Sequence, residues 1–154
     1  MSPLPAAHGM YFEEFETGQK IVTMGRTITE SDIYFFAGLT GDYNPIHTDA
    51  EFSKTIPFGQ RIAHGLLGTS IASGLAYRTG ILEGTTIAFR EIKEWRFVKP
   101  IFIGDTIHVE LNVQETKAIP RLKGGSVDIL VDVKKQDGET VMKGTWTLLI
   151  ASKP

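Results

Sequence analysis

Apolar and polar positions alternate through much of the second half of the chain. Ile107, Val109, Leu111 and Val113 alternate with Thr106, His108, Glu110 and Asn112, and Val127, Ile129, Val131 and Val133 alternate with Ser126, Asp128, Leu130 and Asp132. A period of two predicts strands with one buried face. Met142, Gly144, Trp146, Leu148 and Ile150 occupy one phase of a last strand, and Asp137-Gly138 before it is a strong hairpin signal. Thr86 to Val98 reads as a further strand with less regular alternation.

The first half has other periods. Phe12 to Gly18 mixes acids and aromatics, as a docking turn does, and Lys20 to Ile28 has the β-branched content of a strand. A helix follows, capped by Thr29 or Ser31, with Glu30 and Asp32 favouring its positive end. Ile33, Phe36, Ala37 and Leu39 supply its apolar side, and Gly41 ends it. Asn44 precedes Pro45, which predicts a non-helical stretch from Asp42 to Thr48. Asp49 can cap a short turn through Ala50 to Ser53, and Pro57, Phe58 and Gly59 make a loop.

His64 to Thr79 stands apart. It carries no charge before Arg78, and small or apolar residues occur all round, which predicts a buried helix. Gly68 and Gly74 each weaken a helix by ~1 kcal/mol relative to Ala. Close packing at both positions is the expected return. The order of elements is strand, helices, then about four strands. That is an α+β class: an antiparallel sheet with one apolar helix against it. The sheet could curl around that helix, or the pair could form another two-layer domain; the pattern leaves both open.

Composition narrows the setting. The 154 residues fit one domain, with residues 1–9 as a loose lead-in. A net charge of −2 without a basic cluster argues against nucleic acid and gives no reason to expect membrane attraction. The absence of cysteine excludes disulfides, thiolate metal sites and cysteine nucleophiles, and suits a cytoplasmic setting. No signal peptide or membrane-spanning run is expected.

Asp42 and His47 lie close together in a segment stiffened by Pro45. A carboxylate beside an imidazole can hold a water and take its proton. On spacing alone the bland reading weighs more: Asp42 caps a turn and His47 is solvated, as loop Asp and His often are. Asn44 would brace the turn. Gly65 heads the buried helix, where an unpaired N–H can stabilise an oxyanion or simply close a tight turn. His64 could touch substrate or pack at the helix head. Ser73 could bond a catalytic side chain or its own backbone. His108 falls on a polar strand phase, and His8 lies in the lead-in. No histidine pair has metal-ligand spacing on a helix face, so no metal is expected, and no phosphate-binding glycine loop follows a strand.

Phe36 to His47, reading Phe-Ala-Gly-Leu-Thr-Gly-Asp-Tyr-Asn-Pro-Ile-His, resembles the signature of the MaoC-like dehydratases, or (R)-specific enoyl-CoA hydratases. Ala63-His64-Gly65-Leu66-Leu67 and Arg96-Phe97-Val98-Lys99-Pro100 with Gly104-Asp105 resemble two further motifs of that family. The resemblance implies a hotdog fold, an antiparallel β-sheet wrapped around a long central α-helix. It implies a homodimer or dimer of dimers with sites at the interface. It implies reversible syn hydration of a trans-2-enoyl-CoA to an (R)-3-hydroxyacyl-CoA, within fatty acid metabolism. Asp42 and His47 would hold the water, and the Gly65 N–H would stabilise the thioester oxyanion. CoA is then part of the substrate, and no cofactor is implied. Ile33, Phe36, Leu66, Tyr77 and Trp95 are candidates for the acyl pocket, and Arg90, Lys93, Arg96 and Lys99 for the CoA phosphates. A hotdog thioesterase and a non-catalytic acyl-CoA-binding subunit are the alternatives.

Overall fold

The computed structural model describes residues 8–154. Residues 1–7 of the expected lead-in lie outside these, but its end is pinned: the Gly9 and Met10 N–H groups donate to the Glu83 and Ile81 carbonyls at 2.6 and 2.8 Å. A 3₁₀ turn at Phe12–Glu14 then docks Phe15 into the core.

The β-branched run from Lys20 splits in two, β1 (Lys20–Val22) and β2 (Arg26–Thr27). Both pair with β4 (Thr106–Ile119). α1 (Glu30–Thr40) is capped by Thr29, whose hydroxyl accepts from the Asp32 N–H while the Asp32 carboxylate accepts from the Thr29 N–H. This reciprocal pair satisfies two donors at the helix start. Two one-turn helices follow, α2 (Pro45–Thr48) and α3 (Ala50–Ser53). The expectation that Asp42 to Thr48 is non-helical is therefore corrected for Pro45 onward. Pro45 sits at the first turn, where its missing N–H is not needed, and extended Asn44 is the cap.

α4 (Gly65–Tyr77) precedes β3 (Thr86–Phe97), β4, β5 (Gly124–Lys135) and β6 (Thr140–Ala151). The sheet is wholly antiparallel, in the order β1-β4-β5-β6-β3, with β2 beside β4. Its inner face carries the alternating residues: Ile107, Val109, Val127, Val131, Trp146 and Ile150 are all buried. Leu67, Ala72, Leu75 and Ala76 of α4 join them in one core.

α4 is not buried all round. Leu66 is 64 % exposed and Tyr77 is 53 % exposed, so only one face meets the sheet. The glycines differ accordingly. A Cβ at Gly68 would stand 2.8 Å from Met142 Cε, whereas none of the described residues lies within 4 Å at Gly74, so the expected close packing holds only at Gly68. β3 forms an edge of the sheet and is interrupted by three register shifts, which accounts for its irregular alternation.

Candidate active site

Gly41 ends α1 in the left-handed region, φ 79°, and its N–H closes on the Ala37 carbonyl at 2.8 Å. The chain then turns through a series of local bonds. The Asp42 N–H donates to Thr40 Oγ1, the Asn44 N–H to Asp42 Oδ1, and the Ile46 N–H to Asn44 Oδ1, at 3.2, 3.2 and 3.3 Å. Thr48 Oγ1 donates back to the Tyr43 carbonyl, and the Tyr34 hydroxyl donates to the Thr48 carbonyl. Ser53, fully buried, lies 3.3 Å from both the Pro45 and Ile46 carbonyls. Its side chain therefore steadies α2 from beneath, a role without any signal in the hydrophobic pattern.

His47 projects from α2 and is 7 % exposed. Its Nδ1 stands 2.7 Å from the Ile62 carbonyl. A carbonyl can only accept, so Nδ1 carries the hydrogen and Nε2 is left with a free lone pair. The Ile62 segment is itself held: Ile62 N–H donates to the Ile46 carbonyl and Ala63 N–H to the Ile101 carbonyl, at 3.1 and 2.8 Å. Burial pulls the His47 imidazole below the ordinary histidine value, and the His64 ring acts in the same sense. The Ile62 carbonyl and the Asp42 carboxylate oppose this. A neutral imidazole with an open Nε2 is the form a general base requires.

His64, 3 % exposed, stacks on His47 with centroids 3.8 Å apart and an angle of 27° between the rings. Its Nε2 lies 2.9 Å from the Asp42 carbonyl. One donor atom each of Asp42, His47 and His64 lies within 4.8 Å of the others. That spacing alone would admit a metal ion. However, His64 Nε2 is engaged, its Nδ1 is buried without a partner among the described residues, and stacked rings send their lone pairs side by side. The set suits a water between carboxylate and imidazole better than a metal.

Gly65 begins α4, and the His64 side chain does not cap it. The first N–H groups of a helix have no acceptor within it, so Gly65 N–H is free to bind an anionic oxygen. A Cβ at Gly65 would stand 2.6 Å from the Phe97 ring, so only glycine fits here without displacing it. Gly65, His47 and His64 line one cavity of about 430 Å³, whose other walls are mainly apolar, with Phe58, Phe97 and Met142 among them.

The structure thus brings Asp42, His47, His64 and Gly65 together, with Asn44 as the brace of the turn. It does not bring Ser73 to them. Ser73 lies on the exposed face of α4 and its hydroxyl donates to the Ser70 carbonyl at 2.7 Å. Of the acyl-pocket candidates only Leu66 lines this cavity; Ile33 is core, and Trp95 donates from Nε1 to Thr69 Oγ1. Lys93 pairs with Asp128 and Lys99 with Glu139, so two of the four candidate phosphate cations have carboxylate partners. His108 faces Glu110 on the outer side of β4 at 3.8 Å, and His8 packs on Tyr11. Phe58, Phe97 and Met142 are lining residues that the sequence reading did not single out.

A family profile described as the MaoC like domain matches residues 13–135. The chain belongs to this family. An (R)-specific enoyl-CoA hydratase of Rhodospirillum rubrum is 32 % identical over 143 residues, 93 % of each chain. Among solved structures, a monoamine oxidase regulatory protein from Archaeoglobus superposes with a TM-score of 0.88 at 41 % identity, covering 96 % of this MaoC-like chain and 97 % of that one. An (R)-hydratase from Pseudomonas aeruginosa gives 0.77 at 32 %, covering 94 % and 88 %. A Mycobacterium tuberculosis protein with a double hotdog fold matches 95 % of this chain and 45 % of its own at a TM-score of 0.82 and 17 % identity. The sheet curled over α4 is a hotdog, which settles the choice between the two layered arrangements. No helix among the described residues of this MaoC-like protein is long and apolar enough to cross a membrane.

Proposed function

We propose that this protein is an enoyl-CoA hydratase that adds water reversibly to a trans-2-enoyl-CoA, giving an (R)-3-hydroxyacyl-CoA. The observation that carries the reading is the paired geometry of Asp42 and His47: a carboxylate oxygen within 4.8 Å of a ring nitrogen of an imidazole whose Nδ1 is held by a carbonyl, beside an apolar cavity lined by His47 and Gly65. The relatives named as (R)-hydratases support it.

In the forward direction the pair holds a water. One member takes its proton as the oxygen bonds to C3, and the electrons of the C2–C3 double bond move onto the thioester oxygen. The Gly65 N–H stabilises that oxyanion, and a proton then reaches C2 from the same face. Positioned acid–base help contributes ~10²–10⁴-fold, and an oxyanion donor a further ~10²–10³-fold. CoA serves as the substrate's handle, and the reading asks for no other cofactor. The substrate partner is thus an acyl-CoA thioester, the setting cytoplasmic, and the working form a homodimer. The open β3 edge and the exposed face of α4 offer a second copy its contact, and Ser73 on that face would serve the partner's site.

Loss of the conjugated thioester absorbance with crotonyl-CoA and longer enoyl-CoAs tests the reading. Asp42→Asn and His47→Ala should each lower turnover by ~10²–10⁴-fold while the thermal midpoint stays close to that of the parent. Free thiol release without hydration would mark a thioesterase, and near-parental rates in both variants would remove the pair from the mechanism.

A further inference from the structure

We propose that His64 is a positioning residue for the Asp42–His47 pair, anchoring Asp42 through its backbone carbonyl and covering one face of the His47 ring. This rests on the hydratase reading above. It departs from the simpler idea that His64 touches substrate, and the accounting of its two nitrogens decides between them. Nε2 is spent on the Asp42 carbonyl 2.9 Å away. Nδ1 is buried from solvent and has no hydrogen-bond partner among the described residues. Neither nitrogen is therefore presented to a ligand in the cavity, although the ring forms part of its wall.

What the ring does present is its two faces and its edge. One face stacks on His47 with centroids 3.8 Å apart, and Phe36 of α1 meets the ring edge-on at 4.9 Å. His64 thereby ties three separately built pieces together: the loop after α1, the one-turn α2 and the head of α4. Its backbone leads directly into Gly65, so one peptide bond joins the Asp42 anchor to the residue that carries the oxyanion donor. That short link matters because a displacement of ~1 Å between reacting groups can cost ~10²-fold in rate.

The stack also sets the solvation of His47. The titratable or charged groups facing His47 are Asp42 from the loop, His64 itself, and, across the cavity, Lys99, which is ion-paired with Glu139. With water kept off one face, the His47 imidazolium is poorly solvated and the neutral base is favoured.

Two substitutions separate the anchor from the cover. His64→Gln keeps an amide N–H for the Asp42 carbonyl but uncovers His47. Its kcat should stay within ~10-fold of the parent, and the acid limb of kcat/KM should move to higher pH. His64→Phe keeps the cover but removes the donor. Its acid limb should stay in place, with kcat lower by ~10–100-fold and KM little changed. A raised KM with an unmoved acid limb in both variants would show a substrate contact and overturn the proposal, as would equal losses of kcat in both with no movement of the limb. The unmutated protein supplies a check that needs neither variant nor turnover. Imidazole ¹⁵N shifts should place the hydrogen on Nε2 of His64 and on Nδ1 of His47, and the opposite tautomer of His64 would overturn it. If the parent hydrates no enoyl-CoA, the hydratase reading falls. The tautomers and the NMR titration of His47 in His64→Gln still decide whether His64 anchors and covers.

Discussion

Replacing Gly65 by Ala separates chemistry from stability more cleanly than any other single change in this site. The added Cβ would stand 2.6 and 2.7 Å from two carbons of the Phe97 ring. Phe97 is 54 % exposed, so the ring can swing outward. Alanine is also the better helix former, by up to ~1 kcal/mol. The gain and the displaced contact nearly offset, leaving a net change within ~1 kcal/mol and a Tm within ~3 °C of the parent. Catalysis has no such compensation. A helix Cβ leans toward the N-terminus, into the space a thioester oxygen needs to reach the free N–H. Loss of one oxyanion donor lowers turnover by ~10²–10³-fold, equivalent to about 3–4 kcal/mol of transition-state stabilisation. Initial rates on crotonyl-CoA together with a thermal melt test this. A Gly65→Ala protein that folds and turns over within about threefold of the parent would refute the assignment of the donor. The double variant with Phe97→Ala sharpens the point. If displaced Phe97 caused the loss, removing the ring restores the rate; if blocked approach caused it, the rate stays low.

Two further outcomes follow from burial. His47 has its folded value lowered by burial, so the unfolded chain binds a proton there more readily than the native one. Stability should therefore fall as pH drops from about 6.5 toward the folded value and level off below it. His47→Gln should flatten that part of the profile in urea melts, and parallel curves for the two proteins would contradict it. Trp146 is fully buried against Phe89 and Trp95, and its Nε1 has no partner among the described residues. Trp146→Ala should destabilise by ~3–5 kcal/mol. Trp146→Phe keeps the ring contacts and removes an unpaired donor, so its fall in Tm should be less than half as large; equal falls would place the indole N–H in a bond.

The strands β4, β5 and β6 were legible because each has one face in the core, and Val109, Val131 and Trp146 repeat that fact every second residue. β3 was less legible: it is an edge, and its bulges break the period. α4 misled in a specific way. Its lack of charge suggests burial all round, yet Leu66, Ser73 and Tyr77 face outward in the single chain. α2 escaped because Asn44-Pro45 reads as a break, although Pro at a first helical turn is among its most favoured positions. The meeting of Asp42 with His47 was legible only through the length of the motif around them. The acceptor that orients His47 was not, because the Ile62 carbonyl belongs to the backbone and leaves no mark in residue type. Ser53 and Met142 reach the site only through tertiary packing.

The bulges in β3 bear on a matter remote from catalysis. An open sheet edge is a template on which other chains can add strands, and Ile87, Phe89, Ile92 and Phe97 make this one apolar. Fibrillar growth needs a flat segment of about six residues. The shifts after Thr86, Phe89 and Lys93 leave regular stretches of at most three residues, and Arg90, Glu91, Lys93, Glu94 and Arg96 put charge between the apolar residues. An edge so broken can receive a partner shaped to match its kinks. It gives an unrelated strand too little regular backbone to begin an endless sheet, so association here stops by itself.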